Sequence, residues 1–454
     1  MIFDTLPLRQ KFAPLWLRQK TALRLFLFIL MAVLLPLNML AQSDAGIKFK
    51  GQLSGWGSYS SGAEFPVMVG GRYLPQLNLE LPFRAKTESK GIVQADSGAA
   101  ATGQVPDSDG LNVDSARKFF GIKGLRFDAE VAGNFYGSLE MFGGGELPGS
   151  GETVSAGDYR WRGDVKLYRG WVRLSSDKAE IRVGLQKINF GSAMMLRPLM
   201  WFDTMDPRDP LQLTDGVWGA MGRYYFGNNA NIWVWGLLGN SKLKPFETLP
   251  SERWSPEFGG RVQVPVGSGE AAFTFHRRKM DLPLFEDKYE NKYGIDVRFD
   301  YEIGFWAEAA LINKRAPLGI ASNQELITLG ADYTFGIGNG LNVSAEHMLI
   351  ASGEKAFEFA ATANLSAFSL NYPLGMDDNI SLMFYYDWRG ENLFNFVRWK
   401  HRVSFGDLFV MAFANPEVAE NPLLQGSSAG SAVMSGLGIQ VMLVLNHQTK
   451  SQIR

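Results

Sequence analysis

The sequence predicts an all-β protein, a transmembrane antiparallel up-and-down β-barrel of about eighteen strands, within a range of sixteen to twenty. Three observations carry this. Segments of about ten residues alternate apolar with polar side chains from Gly46 onward, short connections take turns with long ones, and a basic stretch followed by a short apolar run opens the chain.

The alternation comes first because it sets the element type. Ile295, Val297, Phe299 and Tyr301 alternate with Asp296, Arg298 and Asp300, and Phe273 and Phe275 with Thr274, His276 and Arg278. Ile181, Val183 and Leu185 alternate with Arg182, Gly184 and Gln186 in the same way. A period of two puts one set on each face of a strand, so one face is oily and the other wet. A soluble β-sandwich alternates too, and a secreted soluble β-protein is the rival reading. The connections separate the two. Tight ones (Ser175 to Lys178, Gly227 to Ala230, Gly267 to Gly269, Gly336 to Gly340, Gly406-Asp407) take turns with longer ones (Gly143 to Gly163, Gly191 to Asp215, Asn240 to Trp254, Asn415 to Ser431). Short turns at one end and long loops at the other describe a spanning barrel, which leaves no unpaired backbone in lipid. Aromatics near strand ends (Tyr59, Tyr73, Tyr168, Trp218, Tyr224, Tyr225, Trp306, Trp388 and Trp399) would form its interfacial girdles.

Counting backward from a last strand at Val433 to Asn446 gives eighteen strands, the first near Tyr73 to Phe83. Ile47 to Tyr59 is then a nineteenth candidate. Bacterial single-chain barrels have even numbers, so this segment either belongs to a long first strand or has a partner still to be placed.

Five basic residues (Arg9, Lys11, Arg18, Lys20, Arg24) precede the thirteen-residue run Leu25 to Leu37. That order reads as a signal peptide over residues 1–41, cut after Ala41, leaving 42–454 as a single barrel domain in the cell outer membrane. A retained helical anchor needs roughly 20 apolar residues. The absence of cysteine excludes a lipoprotein anchor, disulfides and thiolate metal sites. Removing 1–41 takes away five of the 45 bases and one of the 46 acids, leaving 40 against 45, a net charge of about −5 that argues against a nucleic-acid partner. The low-complexity stretch Gly91 to Gly110 reads as a long loop. The expected partners are outer-membrane lipid, small hydrophilic solutes, the barrel-insertion machinery and further copies of the chain. No cofactor and no metal is expected.

One strand carries a resemblance. Arg182-Val183-Gly184-Leu185-Gln186, closing on Gly191, resembles the Arg-x-Gly-x-Gln-x-x-x-x-Gly strand motif of alginate-export-type and related porin-like outer-membrane proteins, with Leu185 where that family commonly carries Arg. The resemblance implies a porin-like channel. The physical reading beside it places Arg182 and Gln186 on the lumen face and uses Gly184 for a close approach to the wall.

The segment after this motif, Leu196 to Asp215, is too rich in proline and charge to face lipid. Folded into the barrel, it would form a constriction in which Arg197 and Arg208 face Asp203, Asp206 and Asp209 across a narrow eyelet. Left outside, it is a capped loop whose Asp-Pro steps make turns. Its clustered carboxylates also admit a calcium site, although no recognised loop spacing is present. Parity assigns Arg169, Arg173, Arg182, Gln186, Arg261, Arg278, Asp296, Arg298, Asp300 and Glu308 to the lumen. Such a basic stripe would attract anions; its rival reading is that the inward charges merely pair with one another.

The function this supports is passive diffusion of small hydrophilic solutes, anionic or sugar-like. The alternative is a non-channel barrel serving as adhesin, receptor or scaffold. Arg162-Gly163-Asp164 spells an adhesion tripeptide, and His276, His347, His401 and His447 lie far apart with no hydrolase spacing around them, so no enzyme is expected and no catalytic residue is assigned.

Overall fold

The computed structural model describes residues 46–82 except 64, 124–142, 159–416 except 284, 434–452, and the short pieces 145–146 and 153–154. The leader at 1–41 and the stretch Gly91 to Gly110 lie outside the described residues.

Eighteen long strands follow one another: β1 (Gly46–Ser60), β2 (Val67–Pro82), β3 (Arg126–Met141), β4 (Tyr159–Ser175), β5 (Ala179–Gln186), β6 (Val217–Tyr225), β7 (Asn231–Leu237), β8 (Glu257–Val266) and β9 (Gly269–Lys279) make the first half. The second half is β10 (Tyr289–Asp300), β11 (Gly304–Lys314), β12 (Asn323–Phe335), β13 (Leu341–Gly353), β14 (Ala361–Pro373), β15 (Asp378–Asp387), β16 (Asn392–Val403), β17 (Gly406–Asn415) and β18 (Gly436–Gln452). Each pairs antiparallel with its neighbours, and β1 pairs with β18 from Gly46↔Gln452 to Ser60↔Gly438, so the sheet closes without an edge. The protein is a closed, 18-stranded, all-β barrel.

The expected number of about eighteen strands is the one observed, and the leftover segment Ile47 to Tyr59 is one of them, β1, paired on both sides. The last strand also runs six residues beyond Asn446, to Gln452. Gly406-Asp407 opens β17, so its turn lies just before it, and residues 159–163 belong to β4 rather than to the preceding loop.

Parity places side chains as the alternation requires. On β3, Asp128, Ala132, Asn134, Ser138 and Glu140 are buried on the inner face, while Val131, Phe135, Leu139 and Met141 are exposed on the outer one. Exposed Ile181, Val183, Phe273, Ile295, Leu329 and Val441 continue that apolar exterior around the wall. A belt of this extent cannot face water without aggregation, and lipid is the solvent that suits it. Both ends of the described chain and the short turns lie at one rim, and the long loops at the other. β2 ends and β3 begins at the short-turn rim.

Two local departures matter inside. The register shifts between Ala132 and Gly133, where Tyr168 is the extra residue on β4, and this bulge turns Arg169 inward beside Ala132. Gly184, at φ 125°, has a conformation few other residues adopt, and a Cβ there would strike the carbonyl of Gly170 on β4.

Candidate functional site

The connection 187–216 between β5 and β6 leaves the rim and enters the barrel. Its sequence explains the choice: Ile188, Phe190, Leu196, Leu199, Trp201 and Phe202 are too apolar to stay in water. Ile188, Phe190, Leu199, Trp201 and Phe202 pack with Val217 and Met221 of β6, Trp235 and Leu237 of β7, Ala310 and Ile312 of β11 and Leu326 of β12. Leu196 joins a second cluster of inward side chains from β13 to β17, including Met348, Met383, Phe396 and Met411. Further along, Leu211 rests on Trp56, Met68, Phe409 and Met442. The loop therefore crosses the lumen from its own side to the wall around the barrel seam. Each large side chain buried contributes about 1.5–3 kcal/mol, so these six are a main force that draws the loop into the barrel.

Two wall carboxylates finish the docking. Glu346 of β13 accepts hydrogen bonds from the backbone N–H groups of Met194, Met195 and Leu196 at 2.6, 2.9 and 2.6 Å, and from Trp306 Nε1 at 2.9 Å. Glu308 of β11 accepts from Ala193 N at 2.6 Å and Leu199 N at 3.3 Å. A loop segment without sheet partners would otherwise carry these donors unpaired. Gly191, at φ 102°, lets the chain pass beside Glu308, whose carboxylate a Cβ would strike. Gly191→Ala is therefore expected to cost about 1–3 kcal/mol, read as a lower temperature at which the compact, unheated gel band disappears.

The loop charges are paired within the loop, which corrects the expected eyelet. Arg197 binds Asp203 at 2.7 Å with both side chains buried, and also reaches Asn189 Oδ1 at 2.8 Å. Arg208 binds Asp206 at 2.7 Å, stacking its guanidinium 5.4 Å from the Phe396 ring centroid. Asp206 and Asp209 also accept from the N–H groups of Arg208 and Leu211, so both Asp-Pro steps do make turns, inside the barrel rather than outside it. The opposition fails because a buried charge needs a partner within hydrogen-bonding reach, and the neighbouring turn supplies one. These contacts also occupy the carboxylates that a calcium ion would use, and among the described residues no group of three or more His, Cys, Asp or Glu side chains could hold a metal.

Burial raises the carboxyl of Asp209 against two backbone donors. At the loop's end Asp215 is half-buried, which by itself would raise its carboxyl, but Lys166 and Lys242 bind it at 2.6 and 2.5 Å and hold it down to about 2.

Register places the ten parity-assigned residues on the inner face, but they meet two different environments. Gln186, Arg261, Arg278, Asp296 and Glu308 lie beneath loops: Arg261 with Asp296 at 2.5 Å, Arg278 with Glu290 at 2.6 Å and Glu247 at 3.3 Å. Arg169 is also covered, giving hydrogen bonds to the carbonyls of Tyr168 and Thr214. Arg173, Arg182, Arg298 and Asp300 keep contact with the lumen. Trp306, expected in a girdle, faces inward and is buried, as its hydrogen bond to Glu346 requires.

The inward charges that keep solvent contact beside the loop lie on β2 to β6. Here the acids sit under the bases: Arg160 and Arg162 share Glu140, their side chains 39% and 47% exposed against 8% for the acid. Arg173 likewise covers Asp128, and Glu180 is enclosed by Arg173, Arg182 and Arg223. Tryptophan and tyrosine planes support several of these cations, Arg182 over Trp171 at 4.6 Å, Arg223 over Trp233 at 3.7 Å and Arg72 over Tyr136 at 5.2 Å. Sequence reasoning missed Glu140, Glu346, Arg160 and Arg223; β4 and β6 carry the alternation that could have found the arginines.

A closed antiparallel barrel with an apolar outer belt and a loop folded into its lumen defines the porin-like class of outer-membrane barrels. Among solved structures the chain is similar to OccAB4 of Acinetobacter baumannii, at 10% identity and a TM-score of 0.51 over 90% of this chain and 99% of that one. It also aligns with OccK9 (OpdG) of Pseudomonas aeruginosa at 10% identity, TM-score 0.49, over 90% and 99% of the two chains, and with Wzi of Escherichia coli at 10% identity, TM-score 0.43, over 87% and 84%. No protein-family model and no curated protein matches the sequence, so the alginate-export-type resemblance rests on its one strand. At such identities the likeness is one of fold.

Proposed function

We propose that this barrel is an outer-membrane channel for passive diffusion of small hydrophilic solutes, anionic or sugar-like, through the arc that the lumen loop leaves open between β2 and β6. The observation that carries the reading is the layering of charge there, with guanidinium and ammonium groups in the lumen and their carboxylate partners buried beneath. Water and solute in such an opening meet a positive surface although the charges nearly balance by count. The loop from Arg197 to Asp215 acts as a wall of the constriction, its paired charges keeping it rigid.

Arg160, Arg162 and Lys166 are therefore better selectivity probes than the loop's own ions, because their side chains keep solvent contact while Arg197 and Arg208 are buried. Replacing all three by Gln is expected to shift the reversal potential in a salt gradient toward cations, while the conductance changes less. Unaltered reversal potentials in that variant would remove the arc from the solute path.

One observation favours a second reading. The three apolar clusters around the loop fill much of the interior, as in a barrel that serves as scaffold or receptor and passes no current.

A further inference from the structure

We propose that the outer, lipid-facing wall carries a binding groove for one acyl lipid, centred on His347 and independent of the channel. The groove runs across β11 to β16 with a volume of about 580 Å³, within the range of small-molecule sites. Ala331 and Ala345, paired across β12 and β13, form its shallow floor. Phe305 and Leu329 border it on one side and Phe368 and Phe384 on the other.

One wall is polar, which a surface facing hydrocarbon does not offer without reason. His347 Nδ1 lies 2.9 Å from Ser366 Oγ, and Trp388 Nε1 donates to the same oxygen at 2.9 Å. The indole is a donor only, so Ser366 accepts from Trp388. With one lone pair of Ser366 taken by Trp388, the hydroxyl satisfies its own hydrogen by donating to His347 Nδ1, the tautomer on which the proposal rests. The imidazole proton then sits on Nε2. Among the described residues Nε2 has no partner, so its N–H is left for an acceptor from outside the chain. Ionisable side chains on a membrane-facing surface mark functional sites by default.

The occupant must combine an apolar body with an oxygen acceptor and must come from the medium around the wall. A membrane lipid meets all three conditions: an acyl chain lies over Ala331 and Ala345 between the phenylalanine and leucine borders, and an ester or amide carbonyl accepts from His347. Along β11 to β13 the neighbouring outward residues are Ala307, Ala309, Leu311, Ile327 and Leu349, which offer a lipid no such hydrogen bond.

The test is native mass spectrometry of the detergent-extracted protein given a fixed excess of phosphatidylethanolamine. Wild type is expected to keep one lipid per barrel at detergent levels that strip other adducts. His347→Leu, which removes the donor, and Ala345→Trp, which fills the floor, are each expected to lower that retained fraction at least about tenfold, a difference of 1.4 kcal/mol. His347→Gln, which retains an N–H donor, is expected to recover most of it. Both substituted positions point away from the lumen, so the barrel's compact gel band and any conductance report folding separately. Equal retention in wild type and both disabling variants, or no retained lipid in wild type, overturns the proposal. Loss of a dimer instead of a lipid in those variants would assign the groove to a second copy of the chain and overturn it as well.

Discussion

Replacing residues 193–213 by a short glycine-serine linker is expected to raise single-channel conductance several-fold, the largest functional effect the structure implies. A barrel of eighteen strands is wide enough for an aqueous lumen, so an obstruction inside it and not the wall limits current. The obstruction is this loop, since Leu196, Leu199, Trp201 and Phe202 fill the space between β6 and β7 on one side and β11 to β16 on the other. Excision exposes apolar inner wall at Met221, Trp235, Ile312 and Met383 to water, so some loss of thermal stability accompanies the gain in current. The strand ladder is untouched, and the compact gel band should persist at low temperature. A variant that keeps the band but conducts like the parent would show that the loop does not set the passage.

The largest effect on stability is expected from Glu346→Ala. Four donors, three backbone N–H groups and the Trp306 indole, end on this one carboxylate, and a buried donor left without a partner costs about 1–3 kcal/mol. The losses do not add in full, because the loop shifts and water enters, and removing a buried carboxylate also removes its own desolvation cost. About 3–6 kcal/mol remains the expected penalty. Glu346→Gln keeps an acceptor of similar shape and should lose less than half as much. The readout is the temperature at which the compact band is lost in a gel series, supported by the near-ultraviolet signal of Trp306. Equal effects of Ala and Gln would mean that one acceptor of the right shape is not enough, and that the second carboxylate oxygen and its charge carry the role of Glu346.

The wall was legible in the sequence because alternation is a local property. Ile295, Val297 and Phe299 announce an outer face by themselves, and the spacing of turns orders the strands. The number of strands, about eighteen, was legible too, but alternation cannot say which segment closes the barrel. The partners of Ile47 to Tyr59 are the strand beside it and another nearly four hundred residues away. Loop entry was only half legible, since prolines and charges keep the segment out of lipid but leave a lumen constriction and an outer loop both open.

The pairing inside that loop was harder to read. Arg197 and Asp203 are six residues apart, and only the turn at Pro198 to Met200 brings them together. The least legible residue was Glu346. In sequence it is one inward carboxylate on a strand, and its role comes from N–H groups about 150 residues earlier that turn toward it only because Trp201 and its neighbours carry the loop across the lumen. Parity gave Arg261 and Arg278 correctly as inward residues but could not show that loops cover them, because cover is a tertiary property.

The most direct test of the channel account is a planar-bilayer recording of the unmodified mature protein beside the loop-excised variant. The account predicts ohmic steps from the unmodified protein, larger steps from the excised one, and a reversal potential on the anion side for the former. A silent unmodified barrel, with current only after excision, would contradict it and identify the loop as a permanent plug.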